Sequence, residues 1–217
     1  MNPTTFLKRL LSLSCLGFAL LLPTAQAQAP SGNPYVNVNP PQPSDTTGKI
    51  EILEFFSYGC PHCKVMEPMI QNWAKTLPED VTLVRVPVAF NTGMEALQRM
   101  YYTLDVLGRV DDLHGAYFAA LHDQKQPIYD LKSMANWAAE QGIDRKEFES
   151  IFTSFGTDAK VKRAKELTKT YGIEGTPSLA VGGRYVTSPT HTNSYEGTIA
   201  QAAQLLEQVR SSQSPAK

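Results

Sequence analysis

The chain has 217 residues, 42% of them apolar and 19% charged, with a formal net charge of −1. That is enough chain for one good core, or for a core with an inserted subdomain. The charge leaves no basic footprint for nucleic acid, no internal repeat has a solenoid period, and beyond the N-terminus no stretch is long and apolar enough to span a membrane.

Residues 1–27 read as an export signal that is removed. Lys8 and Arg9 form a short basic region, "LLSLSCLGFALLL" is an apolar core, Pro23 breaks it, and "AQA" offers small residues for cleavage after Ala27. The alternative is an uncleaved anchor, for which the apolar core is short against the ~20 residues of a membrane span. Cleavage would remove Cys15 and leave Cys60 and Cys63 as the only cysteines. An exported chain meets an oxidising compartment, so the expected location is the periplasm. Residues 28–48 hold five prolines among Ser, Asn and Thr, which reads as a flexible leader.

Residues 49–92 hold a strand–helix–strand unit. "KIEILEFFSY" (49–58) is an apolar run suited to a strand buried on both faces. A helix is expected from the cysteines toward Trp73, with Pro68 as a kink, and "DVTLVRVPVAF" (80–90) supplies a second, parallel strand. Residues 93–155 change to helical spacing, punctuated by Gly108, Gly142 and Gly156, with Asp130 and Asp144 as N-caps. Residues 156–211 return to a charged helix, two short strands joined at "VGGRY", and a closing helix. Residues 212–217 read as a loose tail. The expected class is α/β, a sheet layer carrying an all-helical insert.

The chemistry centres on "EFFSYGCPHC" (54–63). A bond between Cys60 and Cys63 would close a very small loop and constrain little of the unfolded chain, so it makes a poor structural staple. It suits reversible chemistry better. Cys60 should stand at a helix N-terminus, where free N–H groups and the helix dipole favour a thiolate. Cys63 falls one turn inside and is expected to be buried. Pro61 fits the first helical position. An imidazole at His62 would add positive potential beside Cys60; the plain alternative is an exposed helix residue with no role.

Glu54 falls in the strand alternation with Ile50, Ile52 and Phe56, so its carboxylate is expected to be buried and to need a partner or a raised pKa. It could accept the proton of Cys63. Arg85 is the candidate partner if the two strands are neighbours; an ordinary ion pair, or exposure to water, is the alternative. Thr176-Pro177, in "EGTPS", is a candidate cis peptide before a strand, with a trans proline opening the strand as the other reading. His114, His122 and His191 have no partners at ligand spacing and read as packing or surface residues. One cysteine pair does not make a closed zinc site without further ligands, and no metal or other cofactor is expected.

These residues carry a resemblance. "LEFFSYGCPHC", the later "GTPS" and "VGGRY", and the helical stretch between the first motif and the last two resemble the DsbA-type periplasmic thiol–disulfide oxidoreductases, from about Lys49 to the last helix. The resemblance implies a thioredoxin fold with an inserted all-helical subdomain. It implies a redox-active disulfide between Cys60 and Cys63, with Cys60 as the nucleophile that forms mixed disulfides and Cys63 as its buried partner. By the same likeness His62 raises oxidising power, Glu54 is a buried acid beneath the site, and Arg85 stands where the family usually has lysine. Pro177 would be the cis-proline packed on the disulfide, and Thr176 would pair its backbone with an extended substrate.

The implied activity is donation of a disulfide to reduced, unfolded exported proteins. Reoxidation would fall to a DsbB-like membrane oxidase, and the protein is expected to be a monomer. Thr176 departs from the family's common valine and is more usual in disulfide isomerases of the superfamily. A reductase or isomerase on the same fold is therefore the first alternative. A metal-binding protein using Cys60, His62 and Cys63 is the second, and a peptide-binding module with inert cysteines the third.

Overall fold

The computed structural model describes residues 32–213. The expected export signal and the last four residues of the tail lie outside them. Five strands form one sheet in the order β1-β5-β4-β2-β3. At its centre is β2 (Ile50–Phe56), with every residue buried. After β2 comes α1 (Pro61–Ala74), which continues through Pro68, and then β3 (Val81–Pro87), parallel to β2. On the other side of β2 lies β4 (Ser178–Val181), antiparallel, followed by β5 (Tyr185–Thr187).

The continuous apolar run of β2 is explained by cover on both faces. Ile50 and Ile52 pack with Met66 and Ile70 of α1 and with Leu205, Leu206 and Val209 of α8 (Tyr195–Gln213). Leu53 and Phe55 belong to a second core with Val161, Ala164 and Leu167 of α6 (Phe155–Thr170) and with Tyr171. Between β3 and α6 run α2 (Glu95–Val106), α3 (Val110–His122), α4 (Leu131–Glu140) and α5 (Arg145–Phe152). Asp130 and Asp144 cap α4 and α5 through the N–H groups of Ser133 and Glu147. The aromatic residues Tyr101, Tyr102, Tyr117 and Phe118 are buried here, in the second core.

Three expectations need correction. Gly156 does not end a helix: the break falls at Thr153, Ser154 caps α6 through the Thr157 N–H, and Gly156 sits in the first turn. Ser212 and Gln213 are not loose but belong to α8. The leader is ordered through its described part, and the structured chain starts well before Lys49.

That leader straps the sheet edge. Val36–Asn37 form β1, antiparallel to β5, and the Gln42 N–H donates to the Gly183 carbonyl at 2.8 Å. Asp45 receives a two-pronged contact from Arg163, and Thr46 caps the Glu51 carboxylate with its N–H and hydroxyl. The hairpin turn explains both glycines of "VGGRY". Gly182 and Gly183 take φ of 58° and 69°, a region costly for residues with a Cβ. A Cβ on Gly183 would also stand 1.9 Å from the Gln42 carbonyl oxygen.

Candidate active site

Strand register builds the site. Phe55 of β2 pairs with Ser178 of β4, so Thr176-Pro177, just before β4, lies beside the turn that leaves β2. That turn is closed by the Cys60 N–H to the Ser57 carbonyl and by the Gly59 N–H to the Ser57 hydroxyl. It delivers Cys60 to the N-cap of α1, with Pro61 in the first turn. The Thr176-Pro177 peptide is cis.

The two cysteines are free thiols, one half-buried and the other buried. Cys60 Sγ accepts the Cys63 N–H at 3.4 Å and lies 3.3 Å from the Thr176 carbonyl oxygen. The Cys63 thiol, the Thr176 side chain and the N–H groups of Cys63 and His62 together pull the Cys60 pKa down to about 5, against the penalty of burial. Cys63 moves the other way. Burial first, then the hydrogen bond and charge of Cys60, raise it well above the ordinary thiol value. The pair is thus split into one ready thiolate and one held proton.

The His62 ring has a partner in the last helix. Its Nδ1 is 2.6 Å from the hydroxyl of Tyr195, the first residue of α8. The His62 backbone N–H is one of the groups that lower the Cys60 pKa.

Glu54 and Arg85 are brought together as expected, paired across β2 and β3. Glu54 is 1% exposed, and its Oε2 lies 3.2 Å from Arg85 Nε. Sequence reasoning missed a second carboxylate. Glu67, one turn beyond Cys63 on the buried face of α1, takes a 2.7 Å hydrogen bond from Arg85 Nη2. Its other oxygen is 3.3 Å from His114 Nε2, and His114 Nδ1 is 2.8 Å from the Tyr58 hydroxyl. His114 is therefore a polar member of the core. With Nε2 facing a carboxylate, that nitrogen carries the hydrogen and Nδ1 accepts from Tyr58. His122 also braces the turn, its Nε2 at 2.7 Å from the Tyr58 carbonyl oxygen. His191 stands beside the Ser188 hydroxyl at 3.0 Å.

Two buried carboxylates thus share one guanidinium. Burial, then the charge of Glu67, raise Glu54 to about 8 despite Arg85. Glu67 is also pushed up by burial, but His114 and Arg85 outweigh this and hold it below the usual carboxylate range. Glu54 therefore keeps a proton at neutral pH that its unfolded counterpart, near 4.5, has lost. Raising the pH through that window favours the unfolded state. Buried His114 works oppositely, but only below its ordinary value of 6.5. Between pH 6.5 and 8 the stability difference between wild type and Glu54→Gln should therefore shift against wild type by about 2 kcal/mol. Urea titrations of the two disulfide forms check this, because the Cys60 thiolate is then absent. A constant difference would mean that Glu54 is already ionised at pH 6.5.

A sheet of this topology, with a low-pKa cysteine capping a helix and a buried cysteine one turn on, defines a dithiol–disulfide oxidoreductase of thioredoxin fold with an all-helical insert. The chain matches the DSBA-like thioredoxin domain family over residues 51–200. It is 50% identical to the thiol:disulfide interchange protein DsbA of Bordetella pertussis over 211 residues, 97% of this chain and all of that one. The DsbA crystal structure from Pseudomonas aeruginosa superposes with a TM-score of 0.80 at 34% identity, covering 83% of this chain and 94% of that one. The oxidoreductase NmDsbA1 from Neisseria meningitidis gives 0.74 at 30%, covering 84% and 94%. The protein belongs to the DsbA family of thiol:disulfide oxidoreductases.

Among the described residues, no helix is long and apolar enough to cross a membrane.

Proposed function

We propose that the protein is an exported dithiol oxidase of the periplasm that passes the Cys60–Cys63 disulfide to reduced, unfolded exported proteins. The observation that carries this reading is the opposite environment of the two sulfurs. A substrate thiolate attacks Cys60 Sγ, the Cys60–Cys63 bond breaks, and Cys63 leaves and takes a proton. Its raised pKa suits a group that ends as a thiol. A second substrate thiolate then attacks the substrate sulfur of the mixed disulfide. Cys60 departs as a thiolate, and a low-pKa thiol leaves faster. The substrate has lost two electrons and the protein has gained them. A DsbB-like membrane oxidase would take them up again, with the protein acting as a monomer.

The other residues act around this exchange. Thr176 offers its backbone to an extended substrate, beside Pro177, in a groove that also includes His62, His191 and Tyr195. Glu54 serves as the proton store beneath the pair, with Arg85 holding it in place. Pro61 sets the start of the helix.

The test is the equilibrium of the pair with glutathione. An oxidase gives a pair that is mostly dithiol at low glutathione, because the Cys60 thiolate stabilises that form. In His62→Ala, loss of the imidazole should move the equilibrium about tenfold toward the disulfide, about 30 mV. An equilibrium in wild type that already favours the disulfide would refute the oxidase reading. Isomerase action is the second reading, favoured by the Thr176 side chain, one of the groups that act on the Cys60 thiolate. Faster rescue of a scrambled protein than oxidation of a reduced one would support it.

A further inference from the structure

The groove beside the cysteines has one wall made by the segment between β5 and α8. Here α7 (Pro189–Thr192) is a single short helix. Asn193 turns the chain with φ of 60°. Ser194 then opens α8: its hydroxyl accepts the Gly197 N–H at 2.8 Å, and its carbonyl accepts the Thr198 N–H at 3.1 Å. The Thr192 and Thr198 hydroxyls meet at 2.8 Å across the same turn. The backbone of Tyr195 is therefore pinned on both sides. Its hydroxyl reaches the His62 imidazole, 133 residues away in sequence, at 2.6 Å.

His62 is fixed just as firmly at its own end. It occupies the first turn of α1 directly after Pro61, and α1 and α8 share one apolar core. Two helix starts are thus joined across the mouth of the groove by a single hydrogen bond. Without that bond an exposed imidazole would sweep through solvent and average out its field. With it, the ring holds one orientation at the N-terminus that carries Cys60.

We propose that Tyr195 is a positioning residue for the redox pair: its hydroxyl fixes the His62 imidazole at the mouth of α1 and so biases the cysteines toward the dithiol form. This rests on the role given above to His62. It makes oxidising power depend on a residue of the groove wall that touches neither sulfur. Tyr195→Phe removes one oxygen and keeps the ring that packs on the apolar core.

The experiment is a double-mutant cycle of Tyr195→Phe and His62→Ala, read as the glutathione equilibrium constant of each full-length protein. Ring nitrogen NMR of His62 reports the hydrogen bond directly. Tyr195→Phe should shift the constant about 3- to 10-fold toward the disulfide, the scale of one hydrogen bond. It should move the Nδ1 signal and add nothing in the His62→Ala background. An unchanged constant in Tyr195→Phe, with His62→Ala shifted, overturns the proposal and leaves the role of His62 standing. Equal shifts with and without His62 overturn it too, because Tyr195 would then act by another route. No shift in any of the three variants removes the role of His62 and the proposal together.

Discussion

Cys60→Ser should lose dithiol oxidation completely, falling to the uncatalysed rate, while remaining folded. The reason is chemical rather than structural. Serine can cap α1 as well as cysteine can, so the helix start survives. No disulfide to Cys63 can form, and a hydroxyl cannot accept a substrate thiolate. Cys63→Ser should behave differently. The Cys60 thiolate remains half-exposed and keeps the backbone N–H groups of positions 62 and 63, so it should react with an activated disulfide and stay trapped as a mixed disulfide. Oxidation of a reduced substrate, followed by mass spectrometry of the trapped species, measures both. Oxidation surviving in Cys60→Ser would remove that residue from the mechanism, and adducts on Cys63 would reverse the two roles.

Arg85→Ala should be the most damaging change away from the cysteines, costing about 3–5 kcal/mol of stability. It removes the guanidinium from between Glu54 and Glu67, both almost fully buried. The loss follows from leaving the Glu67 carboxylate without its guanidinium in the core, more than from the worth of the pair itself. A second change should therefore recover part of it. Glu67→Gln in the Arg85→Ala protein takes away the carboxylate that is ionised at neutral pH. Urea unfolding of the single and double variants at pH 7 measures this. If Glu67→Gln makes Arg85→Ala worse, the damage comes from lost packing of the arginine stem.

The buried acid was readable because a strand repeats every two residues. An acid in phase with Ile50, Ile52 and Phe56 has nowhere to go but inward. The same logic, on a helical period, would have exposed Glu67. Cys63, Met66 and Ile70 mark the inner face of α1, and Glu67 lies on it. The signal is weak, because a lone glutamate in a helix is ordinarily solvated. The ring contact at His62 had no such signal, because nothing local links it to a tyrosine in the last helix. The leader misled for another reason. Prolines, serines and asparagines describe a chain that cannot hold itself in place, and residues 36–46 are held by others: β5, Gly183, Arg163 and Glu51. Gly156 misled in the same way, since the true boundary was set by the hydroxyl of Ser154.

The strap also bears on a hazard peculiar to this trade. A protein that spends its life among unfolded chains is surrounded by loose strands seeking an open ladder, and a bare β5 would offer one. Here β5 is already taken by β1. The new outer edge is only two residues long, and Pro40, Pro41 and Pro43, which follow soon after, have no N–H to offer. Short edges and prolines are the usual guards against unwanted strand pairing. On that side of the sheet, an incoming chain finds little to zip onto, which would favour the docking place proposed above at Thr176, beside the reactive sulfur.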